Sequence, residues 1–66
     1  MNILMEKTMK YKVGQKVKYF ADDTEKYYFG IVKNCTSNLT TNLNMYKVTF
    51  DGGDFWMFEC DLQEVV

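Results

Sequence analysis

Apolar and polar residues alternate along most of this chain with a period of two, the spacing of a β-strand with one covered face. The pattern is clearest in YKVTFDGGDFWMFECDL, from Tyr46 to Leu62. Tyr46, Val48 and Phe50 alternate up to Asp51-Gly52-Gly53-Asp54, and a second aromatic run follows at once. This predicts a β-hairpin with strands Met45–Phe50 and Phe55–Glu59, its paired glycines supplying the positive φ that a tight turn demands. Upstream, Tyr11 to Phe20 reads as the first strand, with Tyr11, Val13, Val17 and Tyr19 on one side and Lys10, Lys12, Lys16 and Lys18 on the other. Gly14 marks a turn or bulge near its start. Tyr27 to Cys35 reads as the second strand, aromatic and β-branched almost throughout, so both of its faces are at least half covered. Gly30 within it predicts a strong bend or a close backbone crossing, as small barrels require.

The polar stretches Ala21–Lys26 and Thr36–Asn44 are loops, rich in turn-forming Asp, Asn, Ser and Thr. Cys60 to Gln63 fits one helical or 3₁₀ turn, and Glu64-Val65-Val66 a short fifth strand. Strand, loop, strand, long loop, strand, tight turn, strand, helical turn, strand is the order of an SH3-like barrel. The predicted fold class is therefore all-β, a five-stranded SH3-like barrel with one short helical turn before the last strand. Residues 1–10 read as a frayed N-terminal arm and 11–66 as the barrel domain.

Composition narrows the function. Sixty-six residues allow one small core, which favours binding over chemistry in a deep cleft. The formal net charge of −1 hides a segregation: five of the eight lysines lie between Lys7 and Lys18, while Asp22, Asp23 and Glu25 form one acidic cluster and Asp51 to Glu64 hold five more acids. The chain has no Arg, His or Pro, and this Lys-, Asn- and Tyr-rich usage points to an AT-rich genome, such as a low-GC bacterium or its phage. Without His it lacks the commonest general base and metal ligand. Cys35 and Cys60 are too few for a tetrahedral metal site, and they read as two reduced thiols. No catalytic residue, metal or cofactor is predicted. The apolar run in MNILMEKTM is too short for a signal sequence or a membrane span, which predicts a cytoplasmic protein with no membrane partner.

The segments VGQKV, YYFGIV and YKVTFDGGDFWMFECDL together resemble a Tudor domain, particularly the Polycomb-like type, over Val13 to Val65. Such domains open on a Gly-Gln-x-Val strand, continue with an aromatic-x-Gly strand and end in Phe-acid-acid-x-x-aromatic followed by Asp-Leu. The resemblance implies an aromatic cage that holds methylated lysine by cation–π attraction. Tyr28 matches the cage aromatic of the second strand, Phe50 the one ending the third, and Trp56 the one after the turn. Ala21 stands where the remaining wall belongs, so Tyr19 or Phe20 has to substitute.

The residues alone support a similar site. In such a barrel the first and third turns lie at one end, where Asp22, Asp23, Glu25, Asp51 and Asp54 rim Phe20, Tyr27, Tyr28, Phe50 and Trp56. Acids around exposed aromatic faces favour a cationic group. The leading expectation is thus a non-enzymatic module that binds a protein or peptide partner through Phe20, Tyr27, Tyr28, Phe50, Asp51, Asp54 and Trp56. A free-standing barrel of this size from a phage or bacterium suggests a second reading, a stoichiometric inhibitor of a host or defence protein. A third is a binder of single-stranded nucleic acid or a nucleotide, with Tyr11, Tyr19 and the lysine stripe. Against it stand the missing Arg and a sequence pI of about 5.2.

Overall fold

The computed structural model describes residues 9–38 and 40–66. Its elements are β1 (Lys16–Ala21), β2 (Lys26–Asn38), β3 (Leu43–Phe50), β4 (Gly53–Phe58), a 3₁₀ turn (Glu59–Asp61) and β5 (Gln63–Glu64). All five strands form one antiparallel sheet in the order β4-β3-β2-β1-β5. Four strands meander, and the 3₁₀ turn carries the chain back so that Val17 pairs with Glu64 and Lys18 with Gln63. Among the described residues β4 and β5, the outer strands, are not paired with one another. The fold is therefore an open five-stranded sheet, without the ladder that would close a barrel.

Three differences from the expected strands have local causes. Tyr11 does not belong to β1. The chain turns at Val13-Gly14, where Gly14 takes φ 93°, so Tyr11 enters the core from outside the sheet. The expected alternation fails with it: Val13, on the same parity as buried Val17, is 61% exposed. β2 runs on to Asn38 and β3 begins at Leu43, so the expected long loop is shorter at both ends. That turn closes with the Asn42 amide donating to the Asn38 carbonyl at 2.6 Å, and the Asn38 side-chain oxygen accepts from the amides of Thr40 and Thr41. The β1–β2 turn has the same build, with the Glu25 amide bonded to the Ala21 carbonyl at 2.7 Å. In both, the last residue sits in the left-handed region, Glu25 at φ 55° and Asn42 at φ 61°. Asn tolerates that region better than Glu does.

The core occupies one side of the sheet. Val17, Val32, Tyr46 and Val48 are fully buried, with Tyr11 and Leu62 closing over them. Each buried valine contributes roughly 1.5–3 kcal/mol relative to exposure, a large share of what a domain of this size has. Gly30 packs where a side chain has no room: a Cβ there would lie 2.6 Å from Val48 Cγ1 and 2.7 Å from the Thr49 carbonyl oxygen. The close backbone approach expected at Gly30 is present. It also marks a junction, because β2 pairs with β3 only from Ile31 onward, while Tyr27 to Gly30 pair with β1 alone.

Candidate functional site

Cross-strand partners point to the same side of a sheet, so the register assigns every strand residue to a face. Val17 pairs with Gly30, Tyr19 with Tyr28, Val32 with Val48, Val48 with Phe55 and Tyr46 with Met57. These positions, with Phe50, form the inner face. Lys18 pairs with Phe29, Phe20 with Tyr27, Lys47 with Trp56, Thr49 with Asp54 and Met45 with Phe58. These form the outer face. A β-bulge between Val32 and Asn34 lets β2 keep Val32 and Cys35 both inward, with Lys33 as the extra residue.

On the inner face, beyond the core, an open cavity of about 420 Å³ is lined by Tyr19, Tyr28, Phe50, Gly52, Phe55 and Met57. Its walls come from two ribbons. The β1–β2 ribbon supplies Tyr19 and Tyr28, an adjacent pair. The β3–β4 hairpin supplies Phe50 and Phe55, with ring centroids 6.0 Å apart and tilted by 53°. Met57, packed on the core cluster, belongs to the next inward position of β4. The Tyr28 hydroxyl lies 3.3 Å from the Thr24 hydroxyl, a hydrogen bond that ties the tyrosine's polar end to the β1–β2 turn. Such a cavity offers aromatic walls to an apolar or cationic side chain.

The structure brings some of the expected site residues together and separates others. Tyr28 and Phe50 face the cavity. Tyr19, named as a substitute for the missing wall, faces it too. Phe20, Tyr27, Asp54 and Trp56 are on the outer face instead. Trp56 and the pair Tyr28 and Phe50 thus lie on opposite sides of the sheet and do not wall one cage. The cause is the turn. Phe50 pairs with Gly53, so the loop is two residues, Asp51-Gly52, and the positive φ falls on Gly53 at 133°. This register makes Phe55 the inward aromatic and Trp56 the outward one, and the four-residue loop expected from the sequence, being also even, gives the same assignment. Phe55 and Met57 were absent from the expected site, although any even-numbered hairpin loop puts them on the Phe50 side of the sheet.

The acids are likewise divided. Asp22, Asp23 and Glu25 in the first turn and Asp51 in the third are exposed, at the end of the sheet nearer the cavity-lining residues. Asp54 is held on the outer face, accepting a 2.6 Å hydrogen bond from the Thr49 hydroxyl and lying 4.0 Å from the Lys47 ammonium.

A polar cluster that sequence reading did not find lies toward the other end of the sheet. The Tyr46 hydroxyl accepts from the Lys10 amide at 2.9 Å and the Tyr11 amide at 3.2 Å, and donates to the Glu59 carboxylate. The same Glu59 oxygen accepts from Asn44 Nδ2 and the Lys10 amide, each at 3.1 Å. Asn44, itself buried, accepts from the Ser37 hydroxyl at 2.6 Å, and the Tyr11 hydroxyl donates to the Leu62 carbonyl at 3.0 Å. Burial, and then the bond to Glu59, push the Tyr46 phenol above its ordinary range. For Glu59, burial works to raise the carboxyl, but the hydrogen bonds from Tyr46, Asn44 and the Lys10 amide outweigh it and hold the group below the usual carboxylate range. Because every buried side-chain polar atom among the described residues has a partner, this cluster reads as a structural clasp. It fastens Lys10 and Tyr11 to β3, so the expected boundary between arm and domain falls inside a bonded segment. Residues 1–8 of the expected arm lie outside the described residues.

Cys35 and Cys60 are both free thiols, and no group of three or more His, Cys, Asp or Glu among the described residues is placed to hold a metal. No helix among the described residues is long and apolar enough to cross a membrane. No protein-family model, curated protein or solved structure matches the chain.

Proposed function

We propose that this protein is a small non-enzymatic binding module of SH3-like, Tudor-like build, working in the cytoplasm on a protein or peptide partner. The observation that carries the reading is the cavity lined by Tyr19, Tyr28, Phe50, Phe55 and Met57, with Gly52 of the acidic third turn also in its wall. Its aromatic and thioether walls suit one inserted side chain. Asp22, Asp23, Glu25 and Asp51, at the end of the sheet nearer these residues, favour a cationic one, a lysine or its methylated forms, or an arginine, by charge and by cation–π attraction. A partner would place that side chain in the cavity as an anchor, with its backbone across the open end of the sheet.

The test is a titration of isotope-labelled protein with short peptides carrying lysine, trimethyl-lysine, arginine or norleucine at the centre. Amide shifts centred on Tyr19, Tyr28 and Phe55, strongest for a cationic peptide and lost in Phe55→Ala, support the reading. Shifts confined to the outer face, or none with any peptide at millimolar concentration, refute it.

A further inference from the structure

The outer face has a character that the cavity does not share. Its outward strand positions carry Lys16, Lys18 and Lys47 against a single acid, Asp54, among the described residues, and the exposed bulge residue Lys33 immediately precedes Asn34, the register partner of Lys47. Asp54 accepts a hydrogen bond from the Thr49 hydroxyl and lies 4.0 Å from the Lys47 ammonium. A chain with a net charge of −1 therefore presents one face that is locally basic. The acids gather at the turns and the 3₁₀ segment instead.

Aromatic rings flank these lysines in two groups. Near the first turn, Phe20 and Tyr27 pack with centroids 5.0 Å apart, the Lys18 ammonium lies 4.8 Å from the Tyr27 ring centre, and Phe29 is 52% exposed beside them. Diagonally across the sheet, Trp56 and Phe58 stand on β4 at 48% and 41% exposure, with Lys47 directly opposite Trp56. Phe29 on β2 and Trp56 on β4 stand two strands apart in the sheet order. Lys16 and Lys47 occupy the strands between and beside them.

We propose that this outer face is a second binding surface, one that takes single-stranded nucleic acid, with bases stacked on Phe29 and Trp56 and phosphates on Lys16, Lys18, Lys33 and Lys47. The chemistry selects this partner. Flat, half-exposed rings spread over an open face offer stacking planes rather than a pocket, and lysines interleaved with them match a repeating anionic backbone. The absence of Arg removes bidentate base reading, so the surface takes a strand with little sequence preference. Duplex DNA keeps its bases stacked inside and gains only the phosphate contacts. The surface is separate from the cavity, so one reading can fail without the other.

The test uses the full chain and a dye-labelled oligothymidylate of about 10 nucleotides, with a duplex of the same length for comparison. Trp56 is the chain's one tryptophan, so its fluorescence reports contact directly. The expected result is quenching of Trp56 and a rise in oligonucleotide anisotropy, with log affinity falling as log salt rises and a slope that drops by about 0.7 for each lysine removed in Lys16→Ala and Lys47→Ala. Phe29→Ala weakens binding by about tenfold, whereas Phe55→Ala, on the inner face, leaves it unchanged. Any of three results overturns the proposal: no quenching at low salt, equal or tighter binding of the duplex, or displacement by a polyglutamate peptide at lower concentration than by unlabelled oligothymidylate. The last would assign the face to an acidic protein segment.

Discussion

Val48 stands directly opposite Phe55 across the β3–β4 hairpin, and this pairing turns Phe55 toward the core side while its neighbour Trp56 faces away. One register step thus separates two aromatics of similar exposure into different surfaces. Phe55→Ala and Trp56→Ala should consequently have separable effects. Each leaves the protein folded, with stability within about 1 kcal/mol of wild type, because both side chains are about half exposed, at 51% and 48%. Only Phe55→Ala should reduce affinity for a peptide anchor in the cavity, and only Trp56→Ala should remove binding at the outer face. Paired titrations on the two variants check this, and a common loss in both would contradict the assignment of faces.

Gly30→Ala should destabilise the protein by about 1–3 kcal/mol, the range for overpacking a filled site. The added methyl would meet Val48 Cγ1 at 2.6 Å and a backbone oxygen at 2.7 Å, and the backbone atom has little freedom to yield. Urea unfolding measures the difference. A change below about 0.5 kcal/mol would mean that β2 does not approach β3 as closely as described.

Tyr11 lies outside the sheet but is 1% exposed, meets Tyr46 edge to face at 5.3 Å and bonds the Leu62 carbonyl. Tyr11→Ala should cost about 3–5 kcal/mol by analogy with other buried aromatics, enough to unfold much of a domain with so small a core. Deleting residues 1–8 leaves these contacts in place, while deletion through Tyr11 removes them. Circular dichroism melts of the two truncations should differ sharply.

Stability should depend on pH through the clasp. The Glu59 carboxyl is held below its usual range, so the folded state binds fewer protons than the unfolded chain. Its contribution is fully present above the ordinary carboxylate value of about 4.3 and is lost as pH falls through the lower folded value. The Tyr46 phenol is shifted upward, so its contribution is present below about 10 and is lost as pH rises through the higher folded value. Glu59→Gln should flatten the acid limb of a stability–pH curve, and Tyr46→Phe the alkaline limb. Equal acid slopes in wild type and Glu59→Gln would remove Glu59 from the account.

Much of the architecture was legible in the residues. Alternation in Tyr46, Val48 and Phe50 located β3, the Asp-Gly-Gly-Asp segment located the hairpin, and the isolated Gly30 announced a tight approach. Each is a local signal, carried by a period or by the backbone freedom of one residue. Phe50 on the inner side was readable as well, since it follows from the alternation of Tyr46 and Val48, whereas Tyr28 was named from the family resemblance.

The remaining features depend on how strands meet. Sequence by itself determined that five β-segments exist and which of them are rich in aromatics. Only the tertiary structure decided that Phe50 and Phe55 meet Tyr19 and Tyr28 around one cavity, because β2 pairs with β1 up to Gly30 and with β3 from Ile31 onward. Likewise, nothing local marks Tyr11, Tyr46 and Glu59 as one hydrogen-bonded group, since Tyr11 and Tyr46 are 35 residues apart and meet only once the sheet has formed. Periodicity is a property of a single strand, whereas a face or a clasp belongs to several. Pairing register and burial create those relationships, and they arise only when the strands are assembled.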